Sequence, residues 1–231
     1  MAFLTDFIAG FIDIILHLDV HLQWVIQTYD AWTYAILFVI IFSETGLIVA
    51  PFLPGDSLLF AAGTFAALGA LNLPVLFLVI FSAAVIGDFL NYSIGYYVGP
   101  KIFKKEKSLL FNKAYLLRAE AFYEKHGSKT IILARFLPII RTFAPFVAGI
   151  GKMNRFKFIS YNIIGALLWC IIFILSGYYF GSLPWVKENF TIVIMAIIAV
   201  SFIPIVKEVL VSFWNKRKES AKMATGQEKK E

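Results

Sequence analysis

Three stretches of the chain carry no charged residue: Ser57 to Gly87, Phe158 to Val186 and Asn189 to Val206. As helices, each is long enough to cross a hydrocarbon core of about 30 Å. A soluble globule of 231 residues seldom reaches an apolar share of 60% and a mean hydropathy of +0.78. Insertion into a membrane is therefore the first expectation. It restricts the fold at once, because backbone at membrane depth must find its hydrogen bonds within the protein.

Charge is unevenly distributed. All 21 Lys and Arg residues lie from Lys101 onward, whereas Asp6, Asp13, Asp19, Asp30, Glu44, Asp56 and Asp88 precede it. The net charge of +6 thus hides an acidic first part and a basic second part. Because the cations flank hydrophobic spans, the positive-inside bias and anionic headgroups account for them, and no nucleic-acid partner is expected. The first residues lack the basic region and small-residue cleavage site of a removed secretory signal, so the whole chain is expected to stay in the membrane.

Residues 1–30 are expected to form an amphipathic membrane helix, since Asp6, Gly10, Asp13, His17 and His21 recur at spacings of three and four and make one narrow polar stripe. A membrane domain is expected over residues 31–213. Its first part, about 31–99, opens with a span from Ala31 that meets Glu44 and Gly46 and stops at Pro51 and Pro54. The Gly- and Ala-rich residues 55–72 are too irregular for a clean span and too apolar for a solvated loop, which suits a re-entrant hairpin covered by protein. A second span, Pro74 to Gly99, carries Asp88, Asn91 and Tyr92 and leads into a basic loop, 100–129, expected to be cytoplasmic.

The second part, about 130–181, begins with TIILARFLPIIRTFAPFVAGIG, a hydrophobic segment split by Arg135, Pro138, Arg141 and Pro145. Basic residues on both sides imply that it enters and leaves on the cytoplasmic face as a second hairpin. A span follows from Phe158 to Gly181, a last span covers 189–213, and residues 214–231 form a polar tail expected to be disordered and cytoplasmic.

The two parts resemble each other. Phe52–Leu53–Pro54 leading to Ala62–Gly63 answers Phe136–Leu137–Pro138 leading to Ala148–Gly149, and GYYVG at Gly95 answers GYYFG at Gly177. With the loop after Gly99 cytoplasmic, the first hairpin is approached from outside and the second from inside, an inverted repeat of the kind found in secondary transporters. The expected fold is therefore an all-α polytopic membrane protein, an inverted repeat with two opposed re-entrant helical hairpins, about four spanning helices and an N-terminal amphipathic helix.

Glu44, Asp56, Arg135 and Arg141 lie in or beside the broken segments. An ionised group at that depth costs several kcal/mol unless it is paired, hydrated or functional. One outcome is purely structural, with carboxylates and guanidiniums pairing to hold the hairpins together. The other is functional: Arg135 and Arg141, with fixed charge and forked donors, grip a phosphate that enters between the hairpins. Burial favours the neutral acid and a nearby guanidinium the carboxylate, so proton binding at Glu44 and Asp56 can alternate with Arg pairing. Asp88 and Asn91 are expected as supporting residues that brace a hairpin, with Pro51, Pro54, Gly55, Pro138 and Pro145 as the hairpin breakers.

Other chemistries lack their parts. His17, His21 and His126 are the only histidines, and neither His-Glu-x-x-His nor Gly-x-Ser-x-Gly occurs. The single Cys170, in an apolar run, has no intrachain partner for a disulfide. No metal, cofactor or enzymatic activity is expected.

The segments FSETGLIVAPFLPGDSLLFAAG and ILARFLPIIRTFAPFVAGIGKM resemble the two signature segments of the bacterial DedA family, also called SNARE-associated or VTT-domain proteins. The likeness extends from about residue 3 to 213, and YEKHG and NIIGALLW are similar to the family's founding subgroup. The family's acidic residue followed by Pro-x-x-Pro-Gly-acid falls on Glu44, Pro51, Pro54, Gly55 and Asp56, and its Arg-x-x-Pro-x-x-Arg segment ending in Ala-Gly falls on Arg135, Pro138, Arg141, Ala148 and Gly149.

The resemblance implies an inner-membrane protein with opposed re-entrant hairpins, dependent on proton motive force, with roles in envelope maintenance and resistance to cationic peptides. Some relatives recycle undecaprenyl phosphate. The expected function is a proton-coupled flippase of an anionic lipid, undecaprenyl phosphate or a phospholipid, with Arg135 and Arg141 binding the headgroup and Glu44 and Asp56 coupling protons. A proton or small-ion antiporter and a non-transporting scaffold for envelope assembly remain the alternatives. The sequence leaves the oligomeric state open.

Overall fold

The computed structural model describes residues 13, 17–47, 55–102, 127, 129–200 and 203. Pro51, Pro54, most of the basic loop and the C-terminal tail lie outside the described residues. Among the described residues every regular element is a helix, in the order α1 (Leu18–Tyr29), α2 (Trp32–Gly46), α3 (Gly55–Ala67), α4 (Leu73–Ile102), α5 (Thr130–Ala134), α6 (Pro138–Ile150), α7 (Arg155–Phe180), α8 (Pro184–Glu188) and α9 (Phe190–Val200).

Two of these are long and apolar enough to cross a membrane. The 30 residues of α4 and the 26 of α7 correspond to about 45 Å and about 39 Å of helix at 1.5 Å per residue. Their patterning is turned outward. On α7 the large aliphatics Ile163, Ile164, Leu167, Leu168, Ile171 and Ile172 are exposed, whereas Asn162, Gly165, Ala166, Trp169, Cys170 and Gly177 are buried. Exposed aliphatics on one face and small or polar residues among the buried ones, beside Phe158, Trp169 and Ile174, suit a helix packed in a lipid solvent.

Local chemistry fixes where the helices start and stop. Asn154 caps α7, its side chain accepting hydrogen bonds from Phe156 N and Lys157 N at 3.0 and 3.2 Å. Between α5 and α6 the chain breaks at Leu137, which is extended (φ −116°, ψ 105°) because a residue before proline is pushed out of the helical region, and Pro138 then opens α6. After α3, Gly69 at φ +79° lets Ala70 N reach Phe65 O and Gly69 N reach Ala66 O, which closes the helix end. The same closure follows α6, with Lys152 at φ +49° in the glycine's place, Met153 N bonded to Ala148 O and Lys152 N to Gly149 O.

Three sequence expectations need correction. Pro145 does not break its segment but lies inside α6, where its missing N–H removes one helical bond without ending the helix. Within residues 55–72 the irregularity is confined to the end: Gly55 to Ala67 is one continuous helix, and only residues 68–72 form turn and bend. α4 also runs through Gly99 and Pro100 to Ile102, beyond the boundary expected at residue 99.

The packing crosses between the two parts of the chain. α3 lies along α7, and α6 lies along α4. At the first contact a side chain on Gly63 would strike the Ile174 carbonyl and one on Gly177 the Phe60 carbonyl. At the second, Gly149 faces the Tyr92 carbonyl and Gly95 the Phe146 carbonyl in the same manner. These four glycines belong to the repeated sequence markers, and the two contacts correspond position by position. α2 meets α4 closely as well, with Gly46 against Gly87.

Candidate functional site

Helix register places charge inside. On α2 the buried positions Thr33, Leu37, Ile41 and Glu44 follow one helical stripe, so the carboxylate occupies the core-facing side of an apolar helix. α3 is buried along nearly its whole length, and Asp56 lies in its first turn, where the helix dipole favours a negative charge. Glu44 reaches the same terminus: Gly55 N donates to Glu44 Oε1 at 3.2 Å. Any side chain at position 55 would collide with that carboxylate, which explains the glycine there.

Arg141, on α6, closes this group. Its Nη1 donates to Asp56 Oδ1 at 2.9 Å and its Nη2 donates to Glu44 Oε1. Arg141 and Glu44 are buried, 2% and 0% exposed, so their attraction is little screened by solvent. Arg135, in the turn between α5 and α6, makes a second group by donating through Nη2 to Asp88 and to Asn162 Oδ1, the latter at 2.5 Å. Asn162 is held in turn by donating to Val85 O at 3.0 Å.

Trp169 stands between the two groups. Its indole N–H donates to Asp56 Oδ1 at 2.8 Å, and the guanidinium carbons of Arg135 and Arg141 lie 5.9 and 5.2 Å from its ring centroid. Both distances fall in the range of cation–π attraction.

The expected carboxylates and guanidiniums therefore meet, but not as one symmetric clamp. Arg141 is forked between Glu44 and Asp56, whereas Arg135 is bound to Asp88, a residue expected only to brace a hairpin. Asn91 does not join the ion pairs. It ties helices together by donating to Thr45 O on α2 and Thr142 O on α6, at 3.3 and 2.6 Å. Asn162 and Trp169 escaped sequence reasoning, because neutral residues in an apolar helix carry no obvious cost. Their one signal is a shared face of α7, two turns apart.

Three carboxylates face two guanidiniums here. Arg135 Nε and Nη1, Arg141 Nε, Glu44 Oε2 and Asp88 Oδ1 are buried without a hydrogen-bond partner among the described residues. Such groups carry a desolvation penalty that a polar ligand or proton relieves. Asp88 stands near the middle of α4 and Trp169 near the middle of α7, so the centre lies at about half depth of the long helices.

Other polar clusters are modest. Asp13 accepts from His17 Nδ1 at 2.8 Å and from His21 Nε2 at 3.1 Å, all three exposed. The bonds from His21 and His17 hold the Asp13 carboxyl below its ordinary range. Cys170 is buried and free, and among the described residues no group of His, Cys, Asp or Glu has the arrangement of a metal site.

Comparison with known proteins identifies the family. The model of the VTT domain matches residues 53–179, which include both helix crossings and most of the buried charges. The chain is 52% identical over 207 residues to Protein DedA of Escherichia coli K12, covering 89% of this chain and 94% of that protein. It is 41% identical over 186 residues to an uncharacterized membrane protein of Mycobacterium leprae, covering 80% and 82% of the two chains. It is also 36% identical over 151 residues to the inner membrane protein YqjA of Escherichia coli K12, covering 65% and 69%. No solved structure gives a significant match. With a domain match over more than half its length and this degree of identity to Protein DedA, the chain belongs to the DedA family of VTT-domain membrane proteins.

Proposed function

We propose that this protein is a proton-coupled translocase of an anionic lipid in the bacterial inner membrane, moving a polyprenyl phosphate such as undecaprenyl phosphate or a phospholipid. The observation that carries this reading is the buried fork of Arg141 between Glu44 and Asp56, beside an Arg135 with unpartnered N–H groups. A phosphate offers a guanidinium the same paired oxygens as two carboxylates do, so it can replace them without leaving the cation bare.

Charge balance supports coupling. With three carboxylates ionised against two guanidiniums, the centre already favours one proton. A phosphate brings more negative charge and calls for further protons on Glu44 and Asp56. Headgroup binding and proton uptake then assist one another by linkage. Arg135, less fully engaged, meets the headgroup first, and Arg141 follows once its carboxylates are neutralised.

The short helices supply the route. α3 and α6 have 13 residues each, about 20 Å of helix against a core of about 30 Å. We read them as the inner arms of two opposed re-entrant hairpins, with residues 31–99 and 130–181 as inverted repeats, α9 as the start of the last span and the C-terminus cytoplasmic. The lipid tail stays in the bilayer while the headgroup crosses between the arms.

Flux of a polyprenyl phosphate across reconstituted liposomes under a pH gradient tests this directly. Glu44→Gln and Arg135→Ala, each with retained folding, are expected to abolish transport. Unchanged flux in either variant refutes the assignment. The observation that Glu44, Asp56 and Asp88 each meet a guanidinium also suits a non-transporting scaffold held together by ion pairs. Mass spectrometry of co-purified lipids separates the two. Enrichment of a phosphate lipid that disappears in Arg141→Ala supports the translocase, proton flux without any anionic lipid points to an antiporter, and neither outcome leaves the scaffold.

A further inference from the structure

We propose that Trp169 is a positioning residue of the charged centre, which keeps Asp56 hydrogen-bonded and holds both guanidiniums against its ring while Arg141 exchanges partners. The inference rests on the reading that Arg141 leaves its carboxylates for a phosphate headgroup.

Trp169 is wholly buried on α7, where it meets Asp56 from the first turn of α3 and Arg141 from α6. Packing alone would account for a large buried ring, and Phe173 supplies an edge contact at 6.3 Å. Packing does not account for the polar atom. The indole N–H, a donor with no acceptor capacity, points at Asp56 Oδ1, the same oxygen that accepts from Arg141 Nη1. One carboxylate oxygen thus has two donors from different elements, Trp169 on α7 and Arg141 on α6.

The two donors differ in what they can do. A guanidinium can turn toward another oxyanion, whereas the indole N–H is fixed by the ring's burial. When Arg141 departs, Asp56 keeps a bond that a phenyl or aliphatic residue could not give, which lowers the cost of the exchanged state. The ring face has a second effect. Arg135 and Arg141 both lie within cation–π distance of it, so the negative π surface offsets part of the charge of each. The charged groups that meet the ring are Asp56 from α3 and Arg135 and Arg141 from the α5–α6 segment, and Glu44 from α2 and Asp88 from α4 join them through those two arginines.

The test uses the purified full chain in detergent with short-chain phosphatidic acid as the probe. Trp169→Phe, which keeps a ring but removes the N–H, is expected to weaken binding by about tenfold, the effect of losing one hydrogen bond to a charged group. Its unfolding temperature should stay near that of the parent. Trp169→Leu, which also removes the π face, should bind more weakly still. In the parent protein the ¹⁵N-indole resonance assigned to Trp169 by these variants should remain protected from solvent exchange when the probe binds. Parent-like binding by Trp169→Phe overturns the proposal. So does a binding loss that merely follows lowered thermal stability, or an indole signal that becomes unbonded in the lipid complex. Undiminished probe binding by Arg141→Ala instead refutes the headgroup reading on which the proposal rests.

Discussion

A guanidinium forked between two buried carboxylates balances charge that burial would otherwise penalise. Arg141→Ala takes the guanidinium from two buried carboxylates, although Asp56 keeps its bond from Trp169, and is expected to cost about 3–5 kcal/mol of stability, readable as a lowered unfolding midpoint in detergent. Glu44→Gln keeps the side-chain shape, removes one charge from an over-acidic centre and should be far milder. Asn91→Ala removes the amide that bridges the Thr45 and Thr142 carbonyls and should cost about 1–3 kcal/mol. Glu44, Asp56, Arg135 and Arg141 were legible in the sequence because a charge inside an apolar run demands an explanation. Which acid meets which arginine was not legible, since Arg135 and Asp88 are brought together by folding alone. Trp169 was still less visible, because its role comes from its neighbours and not from its own polarity.

Helix boundaries followed local chemistry where one residue dictates them, as Leu137 and Pro138 do at the start of α6. They were misjudged where tertiary packing overrides a breaker, as at Pro145, which is buried in α6 while Asn91 binds the nearby Thr142 carbonyl. The glycine markers were seen as a repeat, but not that they pair crosswise, because the sequence shows likeness and not contact. At Gly63, Gly95, Gly149 and Gly177 the obstacle to a side chain is backbone, which cannot swing aside. Gly63→Val or Gly177→Val is therefore expected to cost at least about 1–3 kcal/mol and to lower the yield of folded protein on size-exclusion chromatography. Gly165→Ala, whose added carbon would meet its nearest neighbour at 3.4 Å, should be tolerated. Lys152, held at φ +49°, invites the opposite change: Lys152→Gly should stabilise by about 1 kcal/mol by relieving the left-handed backbone, measurable as a raised unfolding temperature.

Across the whole molecule, α3 of the first part lies along α7 of the second, and α6 of the second along α4 of the first, so neither part has its core without the other. Lys152 and Lys187 stand beyond opposite ends of α7. The sole cysteine is buried, so a Cys170→Ala background is suited to labelling. A cysteine at 152 is expected to react only with a reagent supplied from the cytoplasm, and one at 187 only from the opposite side. The reverse pattern would overturn the proposed orientation. The location of the charged centre near the middle of both long helices has an electrical consequence. If Glu44 takes up protons as proposed, one that reaches it from either face would traverse about half the membrane voltage, worth roughly 1 kcal/mol per 100 mV. Under the proposed coupling, occupancy of the centre would be tied to the electrical state of the cell, several-fold per 100 mV, even where the pH on the two sides is equal.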